Sequence, residues 1–231
     1  MLIEPVASTP ILVDVVYQRL MAAIIDCTLQ PGQRIVQDDI AASLGVSRAP
    51  VSHALRLLKH QGLLQESGRK GLEVASIDPD RVRDLYQIRA ALDGLAARMA
   101  AERCAAGNLT ATETAMLRDA FSAGLQLGDE TALSKRVQAD IDFHKAIYQA
   151  SGNASIAEAL GPLWPHIQRA MVLVLEANHL RKRAWSEHRK IMESILEGAS
   201  GTSAEAAYAH AAQAGKHTEG RLRRVQLVTA R

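Results

Sequence analysis

Aromatic residues are scarce in this sequence, making up 3% of 231 residues although 48% of the residues are hydrophobic. Alanine and leucine must therefore fill most of the core. These residues favour helices, whereas aromatic and β-branched residues favour strands. Cysteine is scarce as well, since Cys27 and Cys104 are far apart and belong to no CxxC pair. This spacing argues against a disulfide framework or a thiolate zinc site and favours a reducing cytoplasm.

The sequence also lacks a charge excess, because 27 Lys and Arg residues oppose 25 Asp and Glu residues. The whole-chain charge therefore gives no sign of nucleic-acid binding, and any basic surface has to be local. No apolar run approaches the roughly 18 residues of a membrane span. The first residues, MLIEPVASTP, place an acid where a signal peptide needs positive charge. We expect a soluble, unprocessed protein of the cytoplasm.

Three helices are predicted in the first part of the chain, because apolar residues recur there at helical spacing. Ser47 is the expected N-cap of the third helix, whose first turn contains Pro50. Two short apolar runs around the turn residues 67–71 then predict a β-hairpin. The three predicted helices cover residues 12–27, 37–44 and 48–60.

Pro79 marks a predicted boundary between two domains, residues 1–78 and 79–231, because proline suits a first helical turn and disfavours helix at the preceding residue. Beyond it the pattern is helical, and residues 198–203 predict a long turn between the last two helices. The expected fold class is mainly α, with a helix-turn-helix and a hairpin followed by an all-α helical bundle. The predicted helices of the second domain are residues 80–106, 110–128, 130–151, 154–163, 165–178, 182–197 and 203–228.

Basic charge is concentrated in residues 47–71, which carry five Lys and Arg side chains and one acidic side chain. Five basic residues alone are more typical of a solvated helix face. The order of the elements favours a DNA-binding surface instead, because a winged helix presents its third helix and its hairpin tip to DNA.

Dense motifs run through the first domain: Pro31-Gly32-Gln-Arg-Ile, Ile40-Ala41-Ala-Ser-Leu44-Gly45-Val46-Ser47-Arg48-Ala49-Pro50-Val51, Ala54-Leu55-Arg56-Leu57-Leu58 and Gly62-Leu63-Leu64, then Gly71 and Val74. In these motifs the domain resembles the GntR family of bacterial repressors, which implies a winged helix-turn-helix. The family usually has Arg-Glu after Pro-Val, where this sequence has Ser52-His53. An arginine that pairs bidentately with guanine is thereby replaced by a weaker contact.

The resemblance implies two sets of contacts with double-stranded DNA, one at the start of the recognition helix and one at the tip of the wing. We expect a homodimer on a short palindromic operator, because one recognition helix contacts only a few base pairs. The implied contact residues are Ser47, Arg48, Ser52 and His53 on the helix, and Arg69, Lys70 and Gly71 on the wing.

Shorter motifs occupy the second domain: Leu85-Tyr-Gln-Ile-Arg89 with Asp93, Asp140-Ile-Asp-Phe-His144-Lys-Ala-Ile with Ser151-Gly152-Asn153, and Glu187-His188-Arg-Lys-Ile191. In these motifs it resembles the all-helical ligand-binding domain of the FadR subfamily, called FCD. The resemblance extends over nearly all of the remaining chain and implies a domain that binds a metal and an effector.

Four residues are predicted to bind one metal ion. Asp140 and His144 are four residues apart and share one helix face, and His188 lies on the apolar stripe of its own helix. His210 would return to the level of His188 across an antiparallel turn. Three imidazoles and a carboxylate suit Zn²⁺ or a similar divalent transition metal, and suit Ca²⁺ or Mg²⁺ poorly. Each histidine alone is more typical of a hydrogen-bonded core residue. His217 is the alternative last ligand, but the family spacing favours His210.

In this family a small organic acid is thought to complete the metal coordination. Arg89 and Arg169 are the candidate partners of its carboxylate, because a guanidinium fork matches a carboxylate. An ion pair with Asp93, four residues later, is the alternative for Arg89.

Together these features predict a bacterial DNA-binding transcriptional regulator, a repressor and not an enzyme. Its operator affinity is expected to respond to a small carboxylate bound at a metal site. Two other functions stay open. A metallohydrolase with an attached DNA-binding domain would also use a His/Asp zinc site, although no HExxH motif occurs. A constitutive DNA-binding protein with a structural metal would show no effector response.

Overall fold

The computed structural model describes residues 10–68, 71–174 and 178–229. The chain divides into two units, one of residues up to Ser76 and the other from Ile77 onward. Within the described ranges the chain is mainly helical with one small sheet, which confirms the predicted fold class. No helix in these ranges is both long and apolar enough to cross a membrane.

The first unit combines three helices with a three-stranded antiparallel sheet. The central strand of the sheet is the last one along the chain, and it pairs with both others. The hairpin is confirmed, whereas the first strand escaped prediction because two residues are too few to show alternation. The elements are α1 (Pro10–Ile25), β1 (Arg34–Ile35), α2 (Gln37–Leu44), α3 (Arg48–His60), β2 (Leu64–Ser67) and β3 (Gly71–Val74).

Helix α3 is amphipathic and supplies much of the core of this unit. Its residues Val51, Leu55 and Leu58 are fully buried, as their spacing predicts. They pack with apolar side chains of α1 and the sheet, such as Ile24 and Val74. The basic and polar residues of α3 are thereby left on the opposite face.

The hairpin depends on a glycine at the start of β3. Gly71 lies opposite Ser67, and a Cβ atom at Gly71 would come within 2.5 Å of the Ser67 carbonyl oxygen. Only glycine allows the two strands to close at this point. The other two predicted wing residues, Arg69 and Lys70, lie outside the described residues.

The second unit is helical throughout its described residues. Predicted and observed boundaries agree to within four residues, but the last helix begins at Ser200, so the turn before it is shorter than expected. The reason is tertiary: Ser203 is buried, and its hydroxyl lies 3.2 Å from the carbonyl oxygen of Ala97 in a neighbouring helix. The helices are α4 (Pro79–Ala105), α5 (Ala111–Gln126), α6 (Leu133–Ser151), α7 (Ala154–Leu160), α8 (Trp164–Val174), α9 (Asn178–Leu196) and α10 (Ser200–Thr229).

Helix α4 is the centre of the bundle, packing along α10 and also contacting α6 and α9. Small side chains let these helices approach closely, and the low aromatic content of the sequence is consistent with such packing. Four alanines of α4 are completely inaccessible to solvent: Ala96, Ala97, Ala100 and Ala101.

Three of the aromatic side chains form a cluster between α5, α6 and α9. Phe121, Phe143 and Trp185 meet edge to face, with ring centroids 5.7–6.2 Å apart. A Cβ atom on Gly124 of α5 would lie 1.9 Å from the Trp185 ring, so glycine makes room for the indole. Trp185 and Phe143 also contact the ring of His188.

Helix α5 begins with a capping box. The Glu113 backbone N–H donates to Thr110 Oγ1 at 3.1 Å, and the Thr110 backbone N–H donates to Glu113 Oε2 at 2.9 Å. The Arg103 guanidinium donates to the same carboxylate. These hydrogen bonds, that from Arg103 first, lower the pKa of Glu113 to about 2.

We predict that Thr110→Ala lowers the free energy of unfolding by about 1 kcal/mol, because an N-cap hydroxyl is lost. Urea unfolding followed by circular dichroism measures this change. The matched control is Thr112→Ala, which changes an exposed threonine within the same first turn. Equal stability of the two variants would contradict the capping role.

Candidate metal centre and nucleic-acid interface

Three helices bring the four predicted metal ligands together. Asp140 and His144 come from α6, His188 from α9 and His210 from α10. Each residue offers one ligand atom, and these four atoms all lie within 4.8 Å of one another. The three imidazoles are buried and the carboxylate is half-buried. The structure thus contains a His/Asp group that could hold a metal ion.

The spacing of the donor atoms suits a single ion. The Nε2 atom of His188 lies 3.1 Å from His210 Nε2 and 3.4 Å from Asp140 Oδ1. His144 Nε2 lies 3.9 Å from Asp140 Oδ2. Two ligands bound 2.0–2.2 Å from one metal are at most about 4.4 Å apart. Small side-chain movements would therefore complete the site.

Two carboxylates orient the imidazoles from behind. His210 Nδ1 donates to Glu187 Oε2 at 2.8 Å, and His144 Nδ1 lies 3.3 Å from Asp93 Oδ2. A carboxylate at Nδ1 holds the ring in the tautomer that leaves the Nε2 lone pair available to a metal. The sequence motifs contained both acids, but we did not assign them this role.

The buried polar atoms support metal binding. Within the part of the chain that the structure describes, His144 Nε2 is buried and has no hydrogen-bond partner. Burial, together with the Arg89 charge, lowers the pKa of His144. Burial and the neighbouring histidines hold the pKa of His188 well below its usual range. These imidazoles are therefore neutral near pH 7, the state in which a metal binds them.

Arg89 lies beside this group and is almost fully buried. Its Nε atom donates to Asp93 Oδ2 at 3.2 Å, so the alternative ion pair is present. Its Nη2 atom lies 3.9 Å from Asp140 Oδ2 and, among the described residues, has no hydrogen-bond partner. Burial opposes the charge of Arg89, but the Asp93 carboxylate and other neighbouring groups together outweigh it and raise the arginine pKa. Arg89 therefore keeps one end available for a second anion.

A cavity opens next to the group, and the space within it and its mouth is about 930 Å³. Arg89, Asp140 and His210 line one part of its wall. Most of the remaining wall is apolar, formed by Leu133, Val137, Met171, Ala184, Trp185 and Ala214. A few polar groups at one end and apolar side chains elsewhere are the typical lining of a site for a small organic ligand.

Two other sequence candidates lie apart from the four donors. His217 lines the cavity and its Nε2 lies 3.1 Å from Gln213 Nε2, but His210 is the histidine of α10 that joins the group. Arg169 is buried in α8 and is not among the residues that line the cavity. The geometry therefore favours Arg89 over Arg169 as a carboxylate partner.

The exposed face of α3 carries the residues predicted to contact DNA. Ser47 precedes the helix, and its side chain makes no capping hydrogen bond. Arg48 and His53 are exposed, and Ser52 is half-buried between them. Arg56 is also exposed, one helical turn beyond Ser52 and His53.

An acid from α2 holds the first arginine of this face. Arg48 Nε lies 2.9 Å from Asp38 Oδ1, and both side chains are more than 60% exposed. Exposed ion pairs contribute little stability, so this pair restricts the orientation of Arg48 more than it stabilises the fold.

Both units match known protein families. The FCD domain family matches residues 84–213, and the gntR family of bacterial regulatory proteins matches residues 12–74. The chain is 28% identical over 179 residues to "Uncharacterized HTH-type transcriptional regulator YdhC" of Bacillus subtilis (strain 168), covering 78% of each sequence.

Solved structures show the same fold. The structure of E. coli McbR/YncC matches with a TM-score of 0.73 and 20% identity, over 96% of this chain and 100% of that chain. A structural-genomics crystal structure from Rhodococcus sp. RHA1 matches with a TM-score of 0.75 and 22% identity, over 90% and 97% of the two chains.

We predict that the protein binds about one divalent transition metal ion per chain and that His188→Ala loses it, because a four-donor site loses a buried ligand. Asp140→Asn provides a second test, since it preserves the volume of a half-buried side chain. Metal analysis by mass spectrometry measures occupancy. His217→Ala is the matched control, because it changes an imidazole of the same cavity that lies outside the donor group. Metal retention by both ligand variants would refute the site. Loss of the metal in the control alone would show that His217 is a ligand and that the site was assigned to the wrong residues.

Proposed function

We propose that this chain, which belongs to the GntR family of bacterial regulatory proteins and carries an FCD domain, is a repressor whose operator affinity is set by a small carboxylate bound at its metal centre. It is a transcriptional regulator whose helix-turn-helix unit binds DNA. The repressor action, the metal and the effector are the parts that we propose. The observation that carries them is a group of three buried imidazoles and one carboxylate, of which His210 and Asp140 line a cavity together with Arg89.

In this proposal the exposed face of α3 contacts the DNA. Arg48 lies at the start of the helix, where a side chain can reach a base edge, and an arginine fork pairs best with guanine. Ser47 can donate its hydroxyl to a phosphate, while Ser52 and His53 face the next base pairs. Two copies of the chain would place two such helices on the half-sites of a palindrome.

In this proposal the effector binds in the cavity of the second unit. A bound divalent ion would supply coordination positions for a carboxylate oxygen of the effector. Arg89 would donate a hydrogen bond to the same carboxylate from its Nη2 atom. This atom lies 3.9 Å from Asp140 Oδ2 and has no hydrogen-bond partner among the described residues. The buried position of Arg89 makes this contact strong, because little water competes for it.

Coupling between the two sites follows from chain connectivity. Only four residues separate the end of β3 at Val74 from the start of α4 at Pro79. A ligand that prefers one arrangement of the helical unit therefore biases the placement of the attached DNA-binding unit. Coupling of about 1–3 kcal/mol, or about 5–150-fold in affinity, is usual for such regulators.

We predict that Arg48→Ala weakens operator binding by about 1–3 kcal/mol and relaxes sequence preference, because a base contact is lost. Lys70→Ala, at the predicted tip of the wing, should instead weaken binding to all sequences evenly. Fluorescence anisotropy with operator and scrambled DNA measures both effects. Arg98→Ala changes a half-exposed arginine of the helical unit and serves as the control. Unchanged operator affinity in Arg48→Ala would overturn the assignment of the recognition helix.

We predict that a small carboxylate changes the midpoint of an operator titration and that a chelator abolishes this change while leaving DNA binding in place. The reason is that the metal centre and α3 belong to different units. A panel of hydroxy, keto, sugar and dicarboxylic acids, tested with and without chelator, provides the measurement. A protein that acts constitutively would show no shift with any acid, and a shift that survives complete metal removal would place the effector elsewhere.

A further inference from the structure

The cavity beside the metal centre contains a second cationic position. Arg136 lines its wall and lies on α6, four residues before Asp140. Residues four apart on a helix share a face, so Arg136, Asp140 and His144 form a ladder of three successive turns. One end of the ladder is the donor group, and the other end is a guanidinium.

Arg136 is less well paired than the other arginines known to line this cavity. Arg183 Nε donates to Glu187 Oε1 at 2.7 Å, and Arg89 Nε donates to Asp93 Oδ2 at 3.2 Å. The Nη1 atom of Arg136 lies 3.7 Å from a carboxylate oxygen of Asp129, which is longer than either of these two hydrogen bonds.

The Nε atom of Arg136 is also buried, although the side chain as a whole is 19% exposed. It has no hydrogen-bond partner within the described residues. A buried donor without a hydrogen-bond partner is unfavourable, and an anion entering the cavity would accept its hydrogen bond.

The charge of the cavity also favours an anion at this position. Three arginines line the wall against two carboxylates, Asp140 and Glu187, before any metal ion is counted. A carboxylate at the metal centre would leave the Arg136 end of the cavity positive. A single-headed acid would leave the buried Nε atom of Arg136 without a hydrogen-bond partner among the described residues.

The spacing of the two ends limits the length of the ligand. The backbone positions of Arg136 and Asp140 are about 6 Å apart along the helix axis, and two carboxylates joined by three to five methylene groups span a similar distance. The wall of the cavity also includes Leu133, Val137, Met171 and Trp185, which suit methylene groups and do not hydrogen-bond to hydroxyls.

We propose that the effector is a dicarboxylate of this length, with one carboxylate at the metal centre beside Arg89 and the other at Arg136. This inference rests on the proposed function, because it assumes that a carboxylate binds at the metal. Arg136 then determines specificity, whereas the metal end accepts carboxylates in general.

The test compares acids that differ only in the second carboxylate. The pairs are glutarate with pentanoate, adipate with hexanoate and pimelate with heptanoate, titrated calorimetrically into the zinc-loaded full-length protein. We expect at least one diacid to bind about 10- to 100-fold more tightly than its partner, the usual contribution of a charge-assisted hydrogen bond. Arg136→Gln should reduce this ratio to about 2-fold or less, leaving the monoacid affinity unchanged. Arg136→Lys, which keeps the charge, should retain part of the ratio.

Arg183→Gln is the matched control, because it changes a cavity arginine that already has a carboxylate partner and is 51% exposed. Its diacid ratio should stay at the wild-type value. Equal binding of diacids and monoacids by the wild type, or an unchanged ratio in Arg136→Gln, would overturn the dicarboxylate inference while leaving the proposed function intact. If no acid of any pair binds the zinc-loaded protein, both the inference and the carboxylate part of the proposed function fail.

Discussion

The buried carboxylate of Asp93 ties α4 to α6, and the geometry of the candidate metal centre depends on it. Arg89 donates to one of its oxygens, Tyr148 donates to the other at 2.5 Å, and His144 lies 3.3 Å away. Burial alone would raise the pKa of Asp93, but His144 and Arg89 outweigh it and lower the pKa to about 2. Loss of one partner would leave a charge unpaired in the interior, which costs several kcal/mol. The two helices must therefore keep one register.

That register determines what the site can bind. With Asp93 behind His144 and Glu187 behind His210, two imidazoles present Nε2 to a common point. The apolar packing around His188 keeps its ring neutral. Neutral nitrogen donors and one carboxylate form a donor set for a transition metal, and their burial keeps competing water away.

Selectivity and affinity are separated along α6 in our proposals. The donor group and Arg89 would bind any small carboxylate, because they recognise only its charge and planar shape. Discrimination would come one turn away, at Arg136 and the apolar wall. The DNA-binding unit shows a comparable division, in which the buried face of α3 forms the core and its exposed face, from Ser47 to Arg56, is free to vary with the operator.

Local sequence patterns were sufficient to predict the helices, the hairpin and the core face of α3, because helical spacing and capping act over a few residues. The family resemblance was needed to select the four candidate donors that the structure brings together. The local patterns overestimated the length of the turn at residues 198–203, where the buried Ser203 packs on α4. They also missed the short strand β1. Tertiary structure alone decided that His210 and not His217 faces the other donors. It also decided that Arg169 is absent from the cavity wall and that Arg136 lines it with a buried nitrogen that has no hydrogen-bond partner in the described parts of the chain. These outcomes depend on which side chains from distant parts of the chain meet, and only the packing of the helices determines that.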